Sequence, residues 1–354
     1  MMNRRFASHW WLDNSADWKR APFPYDLRHV GDSRGHFSVE LADQFVSPFP
    51  HNGTVLVPLD GSRAAEHALP HALTLARRSA GTVQLVHVHS WKESAGIWQQ
   101  YRSDKSTERL RRKKQAYLQS VVRRISGLVD VPTAALVIES EDIEKSLCEA
   151  AAGAALVVMA THGRGPLGRL LHGSVADTLM RELPCPLLVV RGYDSQVRLN
   201  ADVTLRRVLV PLDGTAFAEE ILDPAAAVHW PKGTQFMLAH IQNATSVRGR
   251  FARAHAGGYL LEVARRIKGR LPEVRTRVVS SDQRVATTIR LLAEEQEVDL
   301  IALTTHGRRG LARLLKGSVA DSLVRKANTP VLVYRPPNRV AGTVEVTAAT
   351  SLGS

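Results

Sequence analysis

The sequence has few residues that could form disulfides or bind a structural metal, and it has no long apolar segment. It holds two cysteines among 354 residues, Cys148 and Cys185, and no Cys/His cluster with metal-ligand spacing. A disulfide framework and a structural metal are therefore disfavoured, and a reducing compartment is indicated. No window approaches the length needed to span a bilayer, and residues 1–50 lack a charged segment followed by an apolar one. We therefore expect a cytoplasmic protein that makes no membrane contact.

Aromatic residues are also scarce, at 6% of the chain, and they are not interleaved with the basic runs. The net charge is +13, of which +5 falls in residues 51–192 and +8 in residues 193–336, so the excess is spread over the chain. Such a balance raises the affinity for any polyanion, a nucleotide included, but specifies no partner. Without a recognised motif, a nucleic-acid partner is disfavoured.

What the sequence does contain is an internal duplication. Thr54–Gly61 recurs as Arg207–Gly214 at seven of eight positions, and Thr161–Arg191 matches Thr305–Arg335 without a gap at 19 of 31. A period of roughly 150 residues suits a whole domain rather than a solenoid repeat. The sequence therefore predicts two copies of one domain fused in tandem.

The repeat sets the expected domain boundaries. We predict an N-terminal extension over residues 1–50, a first domain over 51–192, a linker and strand start over 193–206, a second domain over 207–336 and a disordered tail over 337–354. The extension contains Trp10, Trp11 and Trp18 but follows no clear period. It either packs on the domains through these tryptophans or stays partly disordered.

Each copy alternates short apolar runs with helical patterns. Strands are predicted at Val55–Leu59, Thr82–Val88, Ala134–Ile138, Leu156–Met159 and Leu187–Val190, and the second copy repeats this order. An amphipathic helix follows the first strand, and we expect Pro70 to kink it. This order predicts an α/β fold of two tandem Rossmann-like or flavodoxin-like domains, each a five-stranded parallel sheet with helices on both faces. Ligands of such sheets bind at the carboxyl ends of the strands.

Three features of each copy converge on that edge, and the first is an aspartate directly after the first strand. The two segments read Pro58-Leu59-Asp60 and Pro211-Leu212-Asp213. A carboxylate at this position accepts hydrogen bonds either from a ribose or from the first turn of the following helix. Because Asp-Gly is also common in turns, this feature alone leaves both interpretations open.

The other two features are glycine-containing segments around the fourth strand and the helix after it. Where that strand ends, the copies read Ala160-Thr161-His162-Gly163 and Thr304-Thr305-His306-Gly307, and a backbone without Cβ can approach a ligand closely there. After nine more residues, Gly173-Ser174-Val175 and Gly317-Ser318-Val319 open a helix whose first N–H groups and dipole form an anion site. The serine either caps the helix or binds a phosphate oxygen. The sequence thus predicts a phosphate-binding loop in each copy.

At these residues the chain resembles the universal stress protein family, specifically its tandem-domain members, over about Thr54–Arg191 and Arg207–Arg335. The signature of the ATP-binding members, Gly-x2-Gly-x9-Gly-Ser/Thr, reads here Ala160-x2-Gly163-x9-Gly173-Ser174 and Thr304-x2-Gly307-x9-Gly317-Ser318. The first glycine is missing from both copies. Ala160 adds one methyl group, whereas Thr304 is branched and narrows the second site. We therefore expect unequal sites, with the first copy the better binder.

The resemblance implies domains of the adenine nucleotide alpha hydrolase-like type that bind ATP, with or without Mg²⁺, or a related adenine nucleotide. By the same resemblance, Asp60 and Asp213 contact adenosine, and Val88 and Ile241 line the adenine pocket. It implies a role in stress response through binding and regulation. It also implies an internal pseudo-dimer in which the final strands of the two copies pair, because so apolar an edge strand needs a partner. A further homodimer stays open.

A catalytic role is the alternative. His162 and His306 either hold the loop geometry, which we favour, or serve as acid or base in a slow nucleotide hydrolase or phosphotransferase. Arg164 and Arg308 either neutralise phosphate charge or face solvent. Efficient hydrolysis is disfavoured because the chain has no Gly-x4-Gly-Lys-Ser/Thr loop, no evident carboxylate pair for two metals and no Gly-x-Ser-x-Gly elbow. A nucleotide-free interaction scaffold is the third possibility.

The remaining histidines suggest no site. His67, His71, His87, His89 and His240 lie at scattered positions that form no recognisable ligand set. We therefore predict no catalytic residue and no metal ligand.

Overall fold

The computed structural model describes residues 53–89, 104–162, 174–243, 249–305 and 319–336. The first half contains β1 (Thr54–Pro58), α1 (Arg63–Glu66), α2 (Ala68–Arg78), β2 (Thr82–His89), α3 (Asp104–Ser126), β3 (Thr133–Glu139), α4 (Ile143–Ala150), β4 (Leu156–His162), α5 (Ser174–Glu182) and β5 (Leu187–Gly192). The second half contains β6 (Arg207–Pro211), α6 (Ala216–Glu219), α7 (Leu222–Ala227), β7 (Gln235–Asn243), α8 (Gly249–Arg266), β8 (Glu273–Ser281), α9 (Val285–Glu295), β9 (Leu300–Thr304), α10 (Val319–Lys326) and β10 (Val331–Tyr334).

The strands form one ten-stranded sheet in the order β3-β2-β1-β4-β5-β10-β9-β6-β7-β8. Within each half all pairs are parallel. The predicted α/β fold with two five-stranded parallel sheets is confirmed. Each half has the strand order 3-2-1-4-5, which is the Rossmann order without its sixth strand and differs from the flavodoxin order 2-1-3-4-5.

Helices cover both faces of the sheet in each half, as predicted. In the first half, Leu69 of α2 and Leu118 of α3 are buried in one apolar cluster with alternate residues of β1. Leu147 of α4 and Leu179 of α5 belong to a second cluster on the opposite face. The near-continuous apolar strands are explained by this two-sided burial.

The helix that follows the first strand is divided in both halves. Instead of one kinked helix, α1 ends at Glu66 and α2 begins at Ala68, with Pro70 as its third residue. The second half repeats the division, with Pro224 as the third residue of α7. Proline has no N–H and its ring clashes with the carbonyl four residues earlier, so a helix tends to be interrupted just before it.

The final strands of the two halves pair with each other. β10 runs antiparallel to β5, with Val331 opposite Val189, Leu332 opposite Leu188 and Val333 opposite Leu187. The expected pairing of the final strands is therefore confirmed. It joins the two parallel sheets into one and leaves β3 and β8 as the edges.

The connection between the halves lies along α2. The backbone N–H of Val203 donates to Thr74 Oγ1 at 3.2 Å, and Asp202 pairs with Arg77 at 2.8 Å. Leu199 and Leu205 are buried in the apolar cluster of that face. These contacts fix the path of residues 193–206 against the first half.

None of the helices in the described ranges combines the length and the apolarity that crossing a membrane requires.

Candidate functional site

The strand order places a crevice at the carboxyl edge of each half. The chain leaves β1 towards β2 on one side and later returns to β4 on the other, so the order reverses between β1 and β4, where ligands of such sheets bind. β1 and β4 pair only at Val55–Leu156 and Leu56–Val157, and β6 and β9 pair only at Val208–Leu300 and Leu209–Ile301. Beyond these pairs, towards their carboxyl ends, β1 is no longer paired with β4, nor β6 with β9, although each strand stays paired with its other neighbour.

The predicted aspartates lie where β1 and β6 end. Leu59 is still held to the sheet, since its N–H donates to the Val86 oxygen at 2.8 Å. The Asp60 side chain is exposed, and its Oδ1 accepts a hydrogen bond from the N–H of Ser62 at 2.8 Å. The Ser62 side chain, not Asp60, then caps α1 by accepting from Ala65 N–H at 3.1 Å. The carboxylate therefore closes a turn before the helix rather than capping it.

The second half repeats this turn. Asp213 Oδ1 accepts from the N–H of Thr215 at 3.0 Å and from its hydroxyl at 2.6 Å, while Thr215 caps α6 through Ala218 N–H. Gly61 and Gly214 follow the aspartates with φ of +92°, a left-handed conformation that favours glycine. The Asp-Gly pair is therefore required by the turn in both halves.

The residues predicted to line the adenine pocket lie near the ends of β2 and β7. Val88 is half-buried and opposite Ile138 of β3, and Ile241 is half-buried and opposite Val279 of β8. Both side chains pack against the apolar cluster that contains α4 and α5, or α9 and α10. They present apolar surface near the carboxyl edge on one face of the sheet.

The residues predicted after the fourth strand differ between the halves. Ala160 and Thr161 are half-buried within β4, and Thr161 Oγ1 lies 3.4 Å from the Val190 oxygen. Thr304 is the half-buried last residue of β9, and buried Thr305 donates its N–H to Tyr334 at 2.9 Å. The branched side chain of Thr304 thus stands at the position where the first half has a single methyl group.

Part of the predicted site lies outside the described residues. This holds for Gly163, Arg164 and Gly173 of the first copy and for His306, Gly307, Arg308, Gly317 and Ser318 of the second. His162 ends β4, Ser174 opens α5 and Val319 opens α10. Val175 and Val319 are half-buried and pack against the cluster under these helices. α5 therefore begins at the predicted residue, and the described part of α10 begins directly after Ser318.

Two histidines that suggested no site are placed beside the aspartate turns. Buried His87 has Nδ1 2.6 Å from the Leu59 oxygen, and His240 has Nδ1 2.9 Å from the Leu212 oxygen. Because a carbonyl only accepts, Nδ1 carries the proton and donates. Burial lowers the pKa of His87, and the charge of Lys114 lowers it further, so both favour the neutral ring. Their identical spacing from the aspartates, in both repeats, was the signal available in the sequence.

A second pair of clusters joins α1 to α3 and α6 to α8. Glu66 is buried, accepts from Tyr117 Oη at 3.1 Å and pairs with Arg124 at 2.8 Å. Burial, followed by the charge of Glu66, raises the pKa of Tyr117 above its usual range.

The equivalent cluster of the second half consists of Glu219, Tyr259 and Arg266. Arg266 pairs with Glu219, and burial raises the pKa of Tyr259, with Glu219 adding to the effect. The charge of Asp213 also raises the pKa of Tyr259, as the charge of Asp60 raises that of Tyr117. Both clusters therefore lie near the aspartate turns. They hold the helices that border the crevice.

The thiols fit no reactive role. Burial raises the pKa of Cys148 to about 11 and that of Cys185 to about 12, so both remain protonated near neutral pH. Within the described part of the chain, no group of three or more His, Cys, Asp or Glu side chains is arranged to hold a metal ion.

Known proteins are similar to this chain over different parts of its length. A universal stress protein of Mycobacterium tuberculosis is 27% identical over 299 residues, which cover 79% of this chain and 96% of that protein. The crystal structure of a universal stress protein from Archaeoglobus fulgidus is similar with a TM-score of 0.62 at 18% identity, over 80% of this chain and 96% of the other. A solved universal stress protein in complex with cAMP aligns with 37% of this chain and 97% of its own, at 22% identity and a TM-score of 0.31.

The family of the chain is shown by a family model. The model of the universal stress protein family matches the chain twice, over residues 51–191 and 204–335. The two matches cover most of the chain and coincide with the two halves of the sheet. The chain therefore belongs to the universal stress protein family, as a member with two domains in tandem.

Proposed function

We propose that this protein binds an adenine nucleotide, ATP foremost, in the crevice of one or both halves, and acts in stress response by binding and regulation rather than by turnover. The observation that carries the proposal is the repeated crevice itself. In both halves an exposed aspartate and the residues before a glycine-rich loop emerge where two neighbouring strands stop pairing.

The proposed contacts follow from the chemistry of the residues at that edge. The carboxylates of Asp60 and Asp213 accept hydrogen bonds from the ribose hydroxyls. Half-buried Val88 and Ile241 offer apolar surface to the adenine ring. The phosphates then lie towards the first turns of α5 and α10, whose N–H groups favour anions. The part played by the two glycine-rich loops rests on their spacing in the sequence.

The two sites are proposed to be unequal. Ala160 leaves more room than Thr304 at the position of the missing first glycine. The first half is therefore the stronger binder. Where Mg²⁺ accompanies ATP, the phosphate oxygens would be among its ligands, as is usual for Mg²⁺ at nucleotide sites.

A slow hydrolase is the second candidate, and the nature of the bound nucleotide separates it from the first. The experiment is mass spectrometry of the freshly purified, denatured protein. Co-purified ATP supports binding without turnover, whereas ADP or AMP supports hydrolysis, with His162 or His306 as acid or base. An empty protein that shows no thermal shift with ATP overturns both and leaves an interaction scaffold.

The loops provide the matching variants. Replacing Gly173 and Gly317 by tryptophan places a large side chain where the phosphates are proposed to lie, and we expect nucleotide binding to be lost. Unchanged affinity contradicts the site assignment. The proposal also puts the protein in the cytoplasm, which cell fractionation tests directly.

A further inference from the structure

One ion pair crosses from the second half to the first beside the proposed phosphate position. Arg325 of α10 extends Nη2 to the Asp177 carboxylate of α5, at 2.9 Å from Oδ2 and 3.2 Å from Oδ1. Its Nε bonds Asp321 Oδ1 within its own helix at 2.7 Å. Asp177 belongs to the first turn of α5, the helix that follows the glycine-rich loop of the first half. A residue of the second half therefore reaches the start of that helix.

The geometry of this contact is well defined. The side chain of Asp177 is 26% exposed and that of Arg325 is 40% exposed, so the pair is partly shielded from water. Arg191, at the end of β5, donates from Nη1 to the backbone oxygen of Arg325 at 3.3 Å. Arg325 is thus held to the first half through its side chain and its backbone.

The reciprocal contact is not formed among the described residues. The duplication relates Arg181 to Arg325 and Asp321 to Asp177. Arg181 makes no ion pair with a carboxylate of the described part of the chain, and its buried Nε has no hydrogen-bond partner there. Among the described residues, the crossing pair is therefore formed at the helix of the first half and not at that of the second, although both halves carry the residues for it.

The consequence for an anionic ligand is electrostatic. The first turn of a helix attracts anions through its N–H groups and dipole, but a carboxylate in the same turn repels a second anion. The positive charge of Arg325 offsets the negative charge of Asp177, so the first turn of α5 can still attract a phosphate. Without Arg325, a phosphate at α5 would meet an uncompensated carboxylate.

We propose that Arg325, a residue of the second half, is a positioning residue of the nucleotide site of the first half. It anchors the first turn of α5 and compensates the charge of Asp177, so that the first site is complete only when the two halves are joined. This inference rests on the proposed function, because it concerns the phosphates of a nucleotide bound in the first half.

The test distinguishes the first site from the second, and contacts with the phosphates from contacts with the nucleoside. All variants carry Asp213→Ala, which disables the second site, and the affinities for ATP and for uncharged adenosine are measured by titration calorimetry on the full chain. Arg325→Gln is expected to weaken ATP roughly two- to fivefold and to leave adenosine unchanged. Adding Asp177→Asn is expected to restore the affinity for ATP, since it removes the uncompensated charge.

Arg181→Gln is the matched control. Arg181 is the equivalent of Arg325 in the first half but makes no ion pair with a described carboxylate, so this variant should leave both affinities unchanged. An equal loss for ATP and adenosine, or no rescue by Asp177→Asn, would show that Arg325 is merely structural and overturn the inference. Unchanged ATP affinity in Arg325→Gln overturns it as well. Absence of ATP binding before Arg325 is replaced contradicts the proposed function instead, so the two failures are distinguishable.

Discussion

The Nδ1 atom of His87 lies 2.6 Å from the backbone oxygen of Leu59, the residue before Asp60, and His240 repeats this contact with Leu212 at 2.9 Å. In both halves a histidine on the second strand thus holds the end of the first strand. The contact fixes the residue before the aspartate turn, so the position of the turn depends on both neighbouring strands.

His87→Leu is expected to destabilise the fold by about 1–3 kcal/mol, because the buried carbonyl loses its donor. It should also weaken nucleotide binding in the first half, since the Asp60 turn loses its anchor. Urea unfolding and calorimetry measure the two effects. The reciprocal variant, His240→Leu, should affect the second site, and a loss at both sites from either variant contradicts the local role.

Acid should destabilise the protein through His71. Burial lowers the pKa of His71 from 6.5 to about 4, so the unfolded chain takes up this proton at a higher pH than the folded one. The contribution of His71 to the free energy of unfolding is therefore complete above pH 6.5 and is lost as the pH falls towards 4, by about 3 kcal/mol.

Urea unfolding at several pH values, with His71→Leu as the comparison, measures this contribution. The variant should show a smaller loss of stability between pH 6.5 and 4 than the natural protein. Equal slopes in the two proteins would show that His71 does not titrate as described.

Removing the charge of Glu66 should loosen the helix that follows the Asp60 turn. Glu66→Gln weakens the contacts of Tyr117 and Arg124 and is expected to cost about 1–2 kcal/mol of stability. It should also lower the pKa of Tyr117, which stays raised by burial. Ultraviolet absorbance during alkaline titration measures this, with Tyr117→Phe identifying the signal; an unchanged titration would rule out the charge of Glu66 as a cause.

The turn glycines should be sensitive to a Cβ even though open space surrounds them. Gly61 and Gly214 have φ of +92° and no atom within 4 Å of an added Cβ. Alanine at either position is expected to cost about 1 kcal/mol through backbone strain alone.

Gly258→Ala is the contrasting control, because this exposed glycine lies within α8 and also has open space around it. Alanine there should stabilise the protein by about 0.5–1 kcal/mol through helix propensity. Thermal unfolding compares the three variants. Destabilisation of equal size at all three positions would contradict the role of the backbone conformation.

The fold was predictable because its signals are local and repeated. Apolar runs such as Leu156–Met159 and Leu187–Val190 have no polar face and alternate with helical patterns, which is typical of a sheet covered on both sides. The division of the helix before Pro70 was harder to predict. The proline indicated a disturbance, but its place depends on the packing of α1 against neighbouring strands.

The candidate site was predictable where a residue type and a turn coincide, as at Asp60 and Gly61. His87 and the Glu66 cluster were missed because their partners are distant in sequence. Tyr117 meets Glu66 across 51 positions, and Arg325 meets Asp177 across 148. Such contacts depend on how helices and strands pack together. Local patterns in a single sequence do not predict that packing.

The central claim is that the crevices hold adenine nucleotides, unequally in the two halves. Titration calorimetry of nucleotide-free protein with ATP tests it most directly, on the natural chain and on Asp60→Ala and Asp213→Ala. We predict binding in which Asp60→Ala removes the tighter component and Asp213→Ala at most a weaker one. Absence of heat and of thermal stabilisation by ATP, or unchanged binding in both variants, would contradict the account.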